Sequence, residues 1–277
     1  MKISSLLTAP AIIVTAVMEE CLGVLRSDLG RDGIHLWTGA GQVGKTTTAR
    51  WCVDRFKQEF DESDPDTFTA QWIQLASTHR GSAQKTTMAM LESLGVPVRP
   101  ASLRMTALDS QTRHVVSELR RQRILVWFID EAGLLPDEGL RHVAQIHDTA
   151  HKNDWPVKIV LVGMNDLPSR ITNQPQLNGR VEIRKTFEPI EEQDQRALIV
   201  QDLPWIDDLD PSEASNIVKQ LGQRSQGLPG RLVRLLTQVR QIIDRGGIAP
   251  NAASVSAILT RLMLDRQATI DFDMGGA

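Results

Sequence analysis

Gly39-Ala40-Gly41-Gln42-Val43-Gly44-Lys45-Thr46 decides how the rest of this sequence is read. It matches G-x-x-x-x-G-K-[ST], the pattern of a loop that cradles the phosphates of a nucleoside triphosphate. Its glycines allow a turn so tight that successive backbone N–H groups point inward at phosphate oxygens, with a helix N-terminus behind them. Gly39, Gln42, Val43, Gly44, Lys45, Thr46 and Thr47 are therefore the candidate nucleotide-binding residues. Lys45 is placed to reach the β and γ phosphates, and the Thr46 hydroxyl to ligate magnesium.

The flanks carry the context that such a loop requires. Gly33-Ile34-His35-Leu36-Trp37-Thr38 reads as a short buried strand, and Thr46 to Phe56 as a helix in which Ala49, Cys52, Val53 and Phe56 recur at three- and four-residue spacing. By composition alone the eight-residue pattern arises in on the order of 1% of chains this long. The order strand, glycine loop, helix lowers that further.

A second stretch supplies acids. Ile124-Leu125-Val126-Trp127-Phe128-Ile129-Asp130-Glu131 is a continuous apolar run ending in two carboxylates, as expected of a strand buried on both faces of a parallel sheet. Ligands of such sheets sit beyond the carboxyl ends of the strands, where Asp130 and Glu131 fall. Asp130 is expected to hold magnesium through its water shell, and Glu131 to polarise water toward the γ phosphate. Val157 to Val162 is a further buried strand, and Asn165 just beyond it is a candidate to orient the same water.

Other strands are expected at Ala70 to Ala76 and, more polar and near an edge, at Val181 to Phe187. Helices are expected between them, at about Ser82 to Leu94, Thr106 to Arg121 and Pro136 to Lys152. This alternation predicts an α/β nucleotide-binding domain over about residues 31–189 with a parallel sheet. An amphipathic helical segment over residues 1–30 is expected to pack on it. From Glu191 onward no strand candidate remains. Helices at about Glu191 to Gln201, Ser212 to Ser225, Arg231 to Arg245 and Ser254 to Arg266 predict a helical lid over 190–266, with Gly227, Pro229 and Gly230 separating two of them. Residues 267–277 read as a flexible tail.

Composition bounds the function. The chain has 277 residues, 41% of them hydrophobic, and a formal charge of −3, which argues against a surface coated in basic residues. The charge is nonetheless uneven: Arg80 to Arg123 holds eight Lys or Arg against three acids, while Glu188 to Glu213 holds nine acids against Arg196 alone. The apolar run Ala9 to Val17 is too short to span a bilayer, so no membrane partner is expected and a cytoplasmic location is the default. Cys21 and Cys52 fall on predicted helices without metal-ligand spacing and read as buried free thiols. His147 and His151 stand four apart but lack a third ligand, so an exposed helix face is expected there.

Taken in order, Gly39 to Thr46, Asp130-Glu131, Asn165, Arg180 and a helical lid bearing Gly-x-x-x-Arg231 resemble an AAA+ ATPase over about residues 10–265. The resemblance implies a P-loop AAA+ core with ATP and Mg2+, in which these elements act as Walker A, Walker B, sensor 1, arginine finger and sensor 2. Arg170 and Arg184 are alternatives to Arg180 as the finger offered to a neighbouring subunit. Within AAA+, the Trp72 strand, the helix ending Leu91-Glu92-Ser93-Leu94-Gly95 and the stretch Asn173-Gln174-Pro175-Gln176-Leu177-Asn178-Gly179-Arg180 look like the transposition regulators of the TniB, TnsC and phage Mu B type.

Such a relative assembles with ATP into a homo-oligomeric ring or helical filament on duplex DNA, recruits a transposase to the target, and disassembles on hydrolysis. An appended N-terminal DNA-binding domain of the phage Mu B kind is not recognisable, so DNA contact is expected from the AAA+ body. His79, Arg80, Lys85, Arg99 and Arg104 are the candidates to grip backbone phosphates without reading sequence. Two other readings keep the ATPase core: a helicase loader, and a protein-remodelling or secretion-linked ATPase with no DNA role. The first needs a helicase-docking segment and the second an aromatic pore loop, and neither is evident.

Overall fold

The structure is a computed structural model that describes residues 13–31, 33–76, 83–97, 108–246 and 251–262. Its chain divides into two compact units. One runs from Ala16 to Glu188, and the other takes in, of the described residues, 189–246 and 251–262 together with 13–15.

The first unit is built from alternating helices and strands. In chain order come α1 (Ala16–Ser27), β1 (Gly33–Gly39), α2 (Lys45–Glu59), β2 (Thr69–Gln74), α3 (Ala83–Ser93) and α4 (Leu108–Arg121). There follow β3 (Ile124–Asp130), α5 (Asp137–Lys152), β4 (Lys158–Gly163), the short helices α6 (Leu167–Thr172) and α7 (Pro175–Asn178), and β5 (Val181–Phe187). The five strands make one sheet in the order β2-β3-β4-β1-β5, and every pairing is parallel. This is the α/β P-loop architecture expected of the alternating pattern.

Burial follows the order of the strands. Every residue of β3, β4 and β1 is buried, because these three are interior and have helices on both faces. β5 is an edge strand, and its Glu182, Arg184 and Thr186 alternate outward into solvent. On one face Ile34, Leu36, Trp127, Ile129, Ile159 and Leu161 pack with Met90, Val115, Leu119, Leu140, Val143 and Ile146 of α3, α4 and α5. On the other, Trp37 lies against Phe128 and Phe187 at ring-centroid distances of 5.4 and 5.5 Å. Cys21 on α1 and Cys52 on α2 are free and buried; burial pushes the Cys21 thiol up to about 12 and raises Cys52 as well, so both are inert.

The apolar run that ends in β4 conceals a charge. Lys158 opens this strand with 2% of its side chain exposed, and its ammonium donates to Glu182 Oε2 at 2.9 Å and to Asp28 Oδ2 at 3.3 Å. His35 Nε2 lies 3.1 Å from the same Asp28 oxygen. Four segments thus meet at the amino ends of the central strands, opposite the glycine loop. Gly33 makes room for them: its φ is 146°, and a Cβ there would lie 2.1 Å from Glu182 Oε2.

The second unit is helical, with α8 (Glu192–Asp202), α9 (Pro211–Ser225), α10 (Pro229–Gly246) and α11 over 252–262. Ile199, Leu203, Ile206, Ile217, Leu221, Leu232, Leu236, Val239, Val255 and Leu259 form its core. Pro229 and Gly230 do not separate helices as expected; they form the first turn of α10, where the missing N–H of proline is harmless. The reversal is made by Gln226 and Gly227, both left-handed at φ 57° and 66°. His147 also departs from expectation. It is buried on the inner side of α5, while His151 is exposed. Among the described residues no helix is long and apolar enough to cross a membrane.

Removing the ammonium while keeping the stem, Lys158→Met, leaves Asp28 and Glu182 facing each other. We expect a loss of about 3 kcal/mol in urea unfolding, at the low end for a broken buried pair because Glu182 keeps contact with water. Burial, and then the Lys158 charge, hold His35 below its ordinary 6.5. The unfolded chain therefore takes up the proton first, and stability falls as pH drops below about 6.5. His142, lowered by burial, adds to this fall. Melting temperature should decrease from about pH 7 to about pH 5, with a shallower slope in His35→Gln.

Candidate nucleotide site

β1 delivers the glycine loop at its carboxyl end, and one close approach and two left-handed residues shape it. Gly39 has φ 156°, and a Cβ there would sit 2.5 Å from the Phe187 carbonyl oxygen at the end of β5. Gly44 has φ 98° and caps α2, while Gln42 takes up the left-handed region at φ 69° without being glycine. Such a residue costs about 1–3 kcal/mol and persists only where its surroundings hold it.

The Lys45 ammonium lies inside the curve of the loop, donating to the carbonyls of Gly39 at 2.8 Å and Ala40 at 2.7 Å. Burial lowers its pKa, and the charges of Asp130 and Glu131 oppose that shift. The Thr46 hydroxyl donates to Asp130 Oδ2 at 2.8 Å. This bond crosses β4, which lies between β1 and β3, and it joins the two acids to the glycine loop. Asp130 is 1% exposed, and its second oxygen accepts the Glu131 N–H at 2.9 Å.

Glu131 is itself left-handed, at φ 57°. A 3-10 turn, Ala132–Leu134, follows directly, and the Leu134 N–H returns to the Glu131 carbonyl at 2.8 Å. Asn165 is exposed two residues past β4, at the same end of the sheet as Asp130 and Gly39. The strand order thus places the glycine loop, Asp130-Glu131 and Asn165 at one end of the sheet, while Arg180, just before β5, lies at the other.

The arginine candidates have separate environments. Arg180 forks onto both oxygens of Asp148 and donates to the Gln176 carbonyl. Burial works to raise the Asp148 carboxyl, but the Arg180 guanidinium overcomes this and holds it below the usual range. Arg184 is exposed on β5 and donates to Asn178 Oδ1 at 2.6 Å. Arg170 turns inward and donates to the carbonyls of Gly133 and Leu135 and to the Asp137 carboxylate.

Arg231 belongs to the second unit, in the first turn of α10, and donates to Gln226 Oε1 at 2.7 Å. Thr47 is exposed on α2, and Lys85 is exposed on α3. His79, Arg80, Arg99 and Arg104 lie outside the described residues. The clamp made by Arg170 was not legible in the sequence, where a lone arginine on a six-residue helix carries no signal.

The profile of the family described as AAA domain matches residues 28–171, just over half of the chain. The chain belongs to the AAA family. No curated protein matches it in sequence. Among solved structures, the Aeropyrum pernix ORC2 protein in ADPNP-ADP complexes is similar at TM-score 0.67 and 15% identity, over 89% of this chain and 66% of that one. The Aeropyrum pernix ORC1 protein in complex with DNA is similar at TM-score 0.63 and 19% identity, over 92% and 66%. Domain III of the Thermotoga maritima replication initiation protein DnaA is similar at TM-score 0.58 and 13% identity, over 90% and 94%. This AAA protein therefore has the AAA+ fold and spans just under two thirds of the length of the two ORC proteins. The residues present fit a magnesium nucleotide: Thr46 Oγ1 and the Asp130 carboxylate are hard oxygen donors converging at 2.8 Å beside a lysine enclosed by the loop.

The loop geometry separates its glycines. Gly39→Ala should lower stability by about 2 kcal/mol, because the backbone oxygen it would strike cannot move aside. Gly41→Ala has only the Met164 methyl at 4.0 Å and should stay within about 0.5 kcal/mol of the parent in thermal unfolding.

Proposed function

We propose that this AAA protein hydrolyses ATP and, in its ATP-bound form, assembles on duplex DNA as a regulator of transposition that recruits a transposase. The observation that carries the enzymatic part is the Thr46 to Asp130 hydrogen bond, with Glu131 as the next residue. It joins phosphate loop, metal ligand and candidate base in one constellation.

Each role follows from position. The loop N–H groups and Lys45 bind the β and γ phosphates, while Thr46 and Asp130 hold Mg2+, which when bound supplies positive charge against the phosphate oxygens. Glu131 accepts a proton from the attacking water, and Asn165 orients that water from the neighbouring strand. Arg180 serves a neighbouring subunit by exchanging Asp148 for its γ phosphate, and Arg231 reads the phosphates from the lid. Lys85, with His79, Arg80, Arg99 and Arg104, supplies the backbone contacts to DNA.

The DNA reading is supported by the fold shared with an ORC1 protein solved on DNA, and the transposition reading by the sequence resemblance to the TniB, TnsC and phage Mu B group. A second reading, a loader or initiator acting in replication, is favoured by the likeness to ORC and DnaA. Capture of a replicative helicase rather than a transposase from the host would select it.

Glu131→Gln should bind ATP as the parent does, lose about 100-fold or more in turnover, and stay assembled on DNA. Unaltered phosphate release in that variant would remove Glu131 from the mechanism. Sedimentation with nonspecific duplex DNA should require ATP and weaken steeply as salt is raised, by on the order of 1000-fold between about 50 and 200 mM for six or more phosphate contacts. Equal sedimentation without nucleotide would count against ATP-gated assembly.

A further inference from the structure

Glu131 carries a backbone conformation that its own side chain disfavours, so something must hold it there. Three contacts act on this stretch. The Asp130 carboxylate accepts the Glu131 N–H from the strand side, and the Leu134 N–H closes on the Glu131 carbonyl from the turn side. The third comes from a different strand's successor. Arg170, on the helix that follows β4, donates one Nη to the Gly133 carbonyl at 2.7 Å and the other to the Leu135 carbonyl at 2.7 Å and to Asp137 Oδ1 at 2.8 Å.

Both carbonyls belong to the turn directly behind Glu131. A guanidinium presents its donors in a rigid plane, so two carbonyls held by one such group are fixed relative to each other. Lysine, a point charge on a flexible stem, cannot do this. Gly163 brings the two segments together: a Cβ there would meet Leu167 Cδ2 at 2.6 Å and lie 3.5 Å from the Gly133 nitrogen. The helix bearing Arg170 starts two residues after Asn165, so the clamp also ties the segment that carries Asn165 to the turn behind Glu131.

We propose that Arg170 is a positioning residue for ATP hydrolysis, acting through Glu131 by clamping the Gly133 and Leu135 carbonyls. This rests on the reading of Glu131 as the base. In this role Arg170 acts on the backbone of the turn, and so sets where the carboxylate points. Its guanidinium is occupied by two backbone carbonyls of its own chain as well as by the Asp137 carboxylate.

The test compares Arg170→Ala, Arg170→Lys, Glu131→Gln and the Ala/Gln double variant in the full chain, with ATP, Mg2+ and duplex DNA. Three quantities are read: kcat by phosphate release, nucleotide affinity by binding of a fluorescent ATP analogue, and amide hydrogen exchange at Leu134 and Leu135. Arg170→Ala should lower kcat about 10- to 100-fold, as a carboxylate displaced by about an ångström does, with affinity within about twofold. Arg170→Lys should fall between Ala and the parent, and exchange at Leu134 and Leu135 should quicken in Ala. In the Glu131→Gln background the Arg170→Ala change should have no further effect, the signature of action through one group.

An equal loss in both backgrounds would overturn the proposal, since it is what lost folded protein produces. So would a kcat within twofold of the parent, or loss of affinity in step with kcat. If Glu131→Gln itself turns over normally, the reading of Glu131 fails and the proposal fails with it. A silent Arg170→Ala beside an inactive Glu131→Gln overturns the proposal alone.

Discussion

The hydrogen bond from the Thr46 hydroxyl to Asp130 organises this molecule more than any other contact. It spans the ends of two strands that are not neighbours, because β4 lies between β1 and β3. For it to form, three interior strands must be parallel and in register, so that their carboxyl ends fall along one edge. The sheet core is therefore a device for bringing Gly39 to Thr46, Asp130-Glu131 and Asn165 to one place. Complete burial of β1, β3 and β4 provides the rigidity, and the left-handed turns at Gln42, Gly44 and Glu131 provide the aim.

The two ends of the sheet manage charge differently. At the carboxyl end, Lys45 and Asp130 are buried or nearly so and are matched by loop carbonyls and a hydroxyl, a polar arrangement into which phosphate and magnesium fit. At the amino end, Lys158 is already answered by Asp28 and Glu182. Three ligand-type side chains, Asp28, His35 and Glu182, converge there, but the ammonium among them takes the place a metal would need. One end is thus suited to a ligand and the other closed by the protein's own cation.

Much of this was legible in the sequence, for reasons that can be stated. A buried parallel strand has no polar face, so Ile124 to Ile129 and Val157 to Val162 read as buried strands. A tight phosphate loop needs glycine at defined positions, so Gly39 and Gly44 read as a motif. The edge strand Val181 to Phe187 alternates, and it lies at the edge. Polarity misled where burial depends on partners distant in the chain. Lys158 passed without remark inside the strand Val157 to Val162, and His147 read as one of an exposed pair, because periodicity cannot see an opposing carboxylate or a neighbouring helix. Pro229 and Gly230 read as a break, although proline at the first helical position starts a helix as readily as it ends one.

What the sequence by itself determined was local: a triphosphate loop, a pair of acids at a strand end, an α/β alternation and a helical second part. These follow from backbone freedom at glycine and from the two periods of side-chain burial, which act over a few residues. The tertiary structure decided which strand lies beside which, and hence that Thr46 meets Asp130 across β4. It also decided that Arg180 is answered by Asp148 and that Arg170 holds the turn behind Glu131. Those pairings join residues more than thirty positions apart, where no local preference reaches and only the packing of whole elements selects a partner.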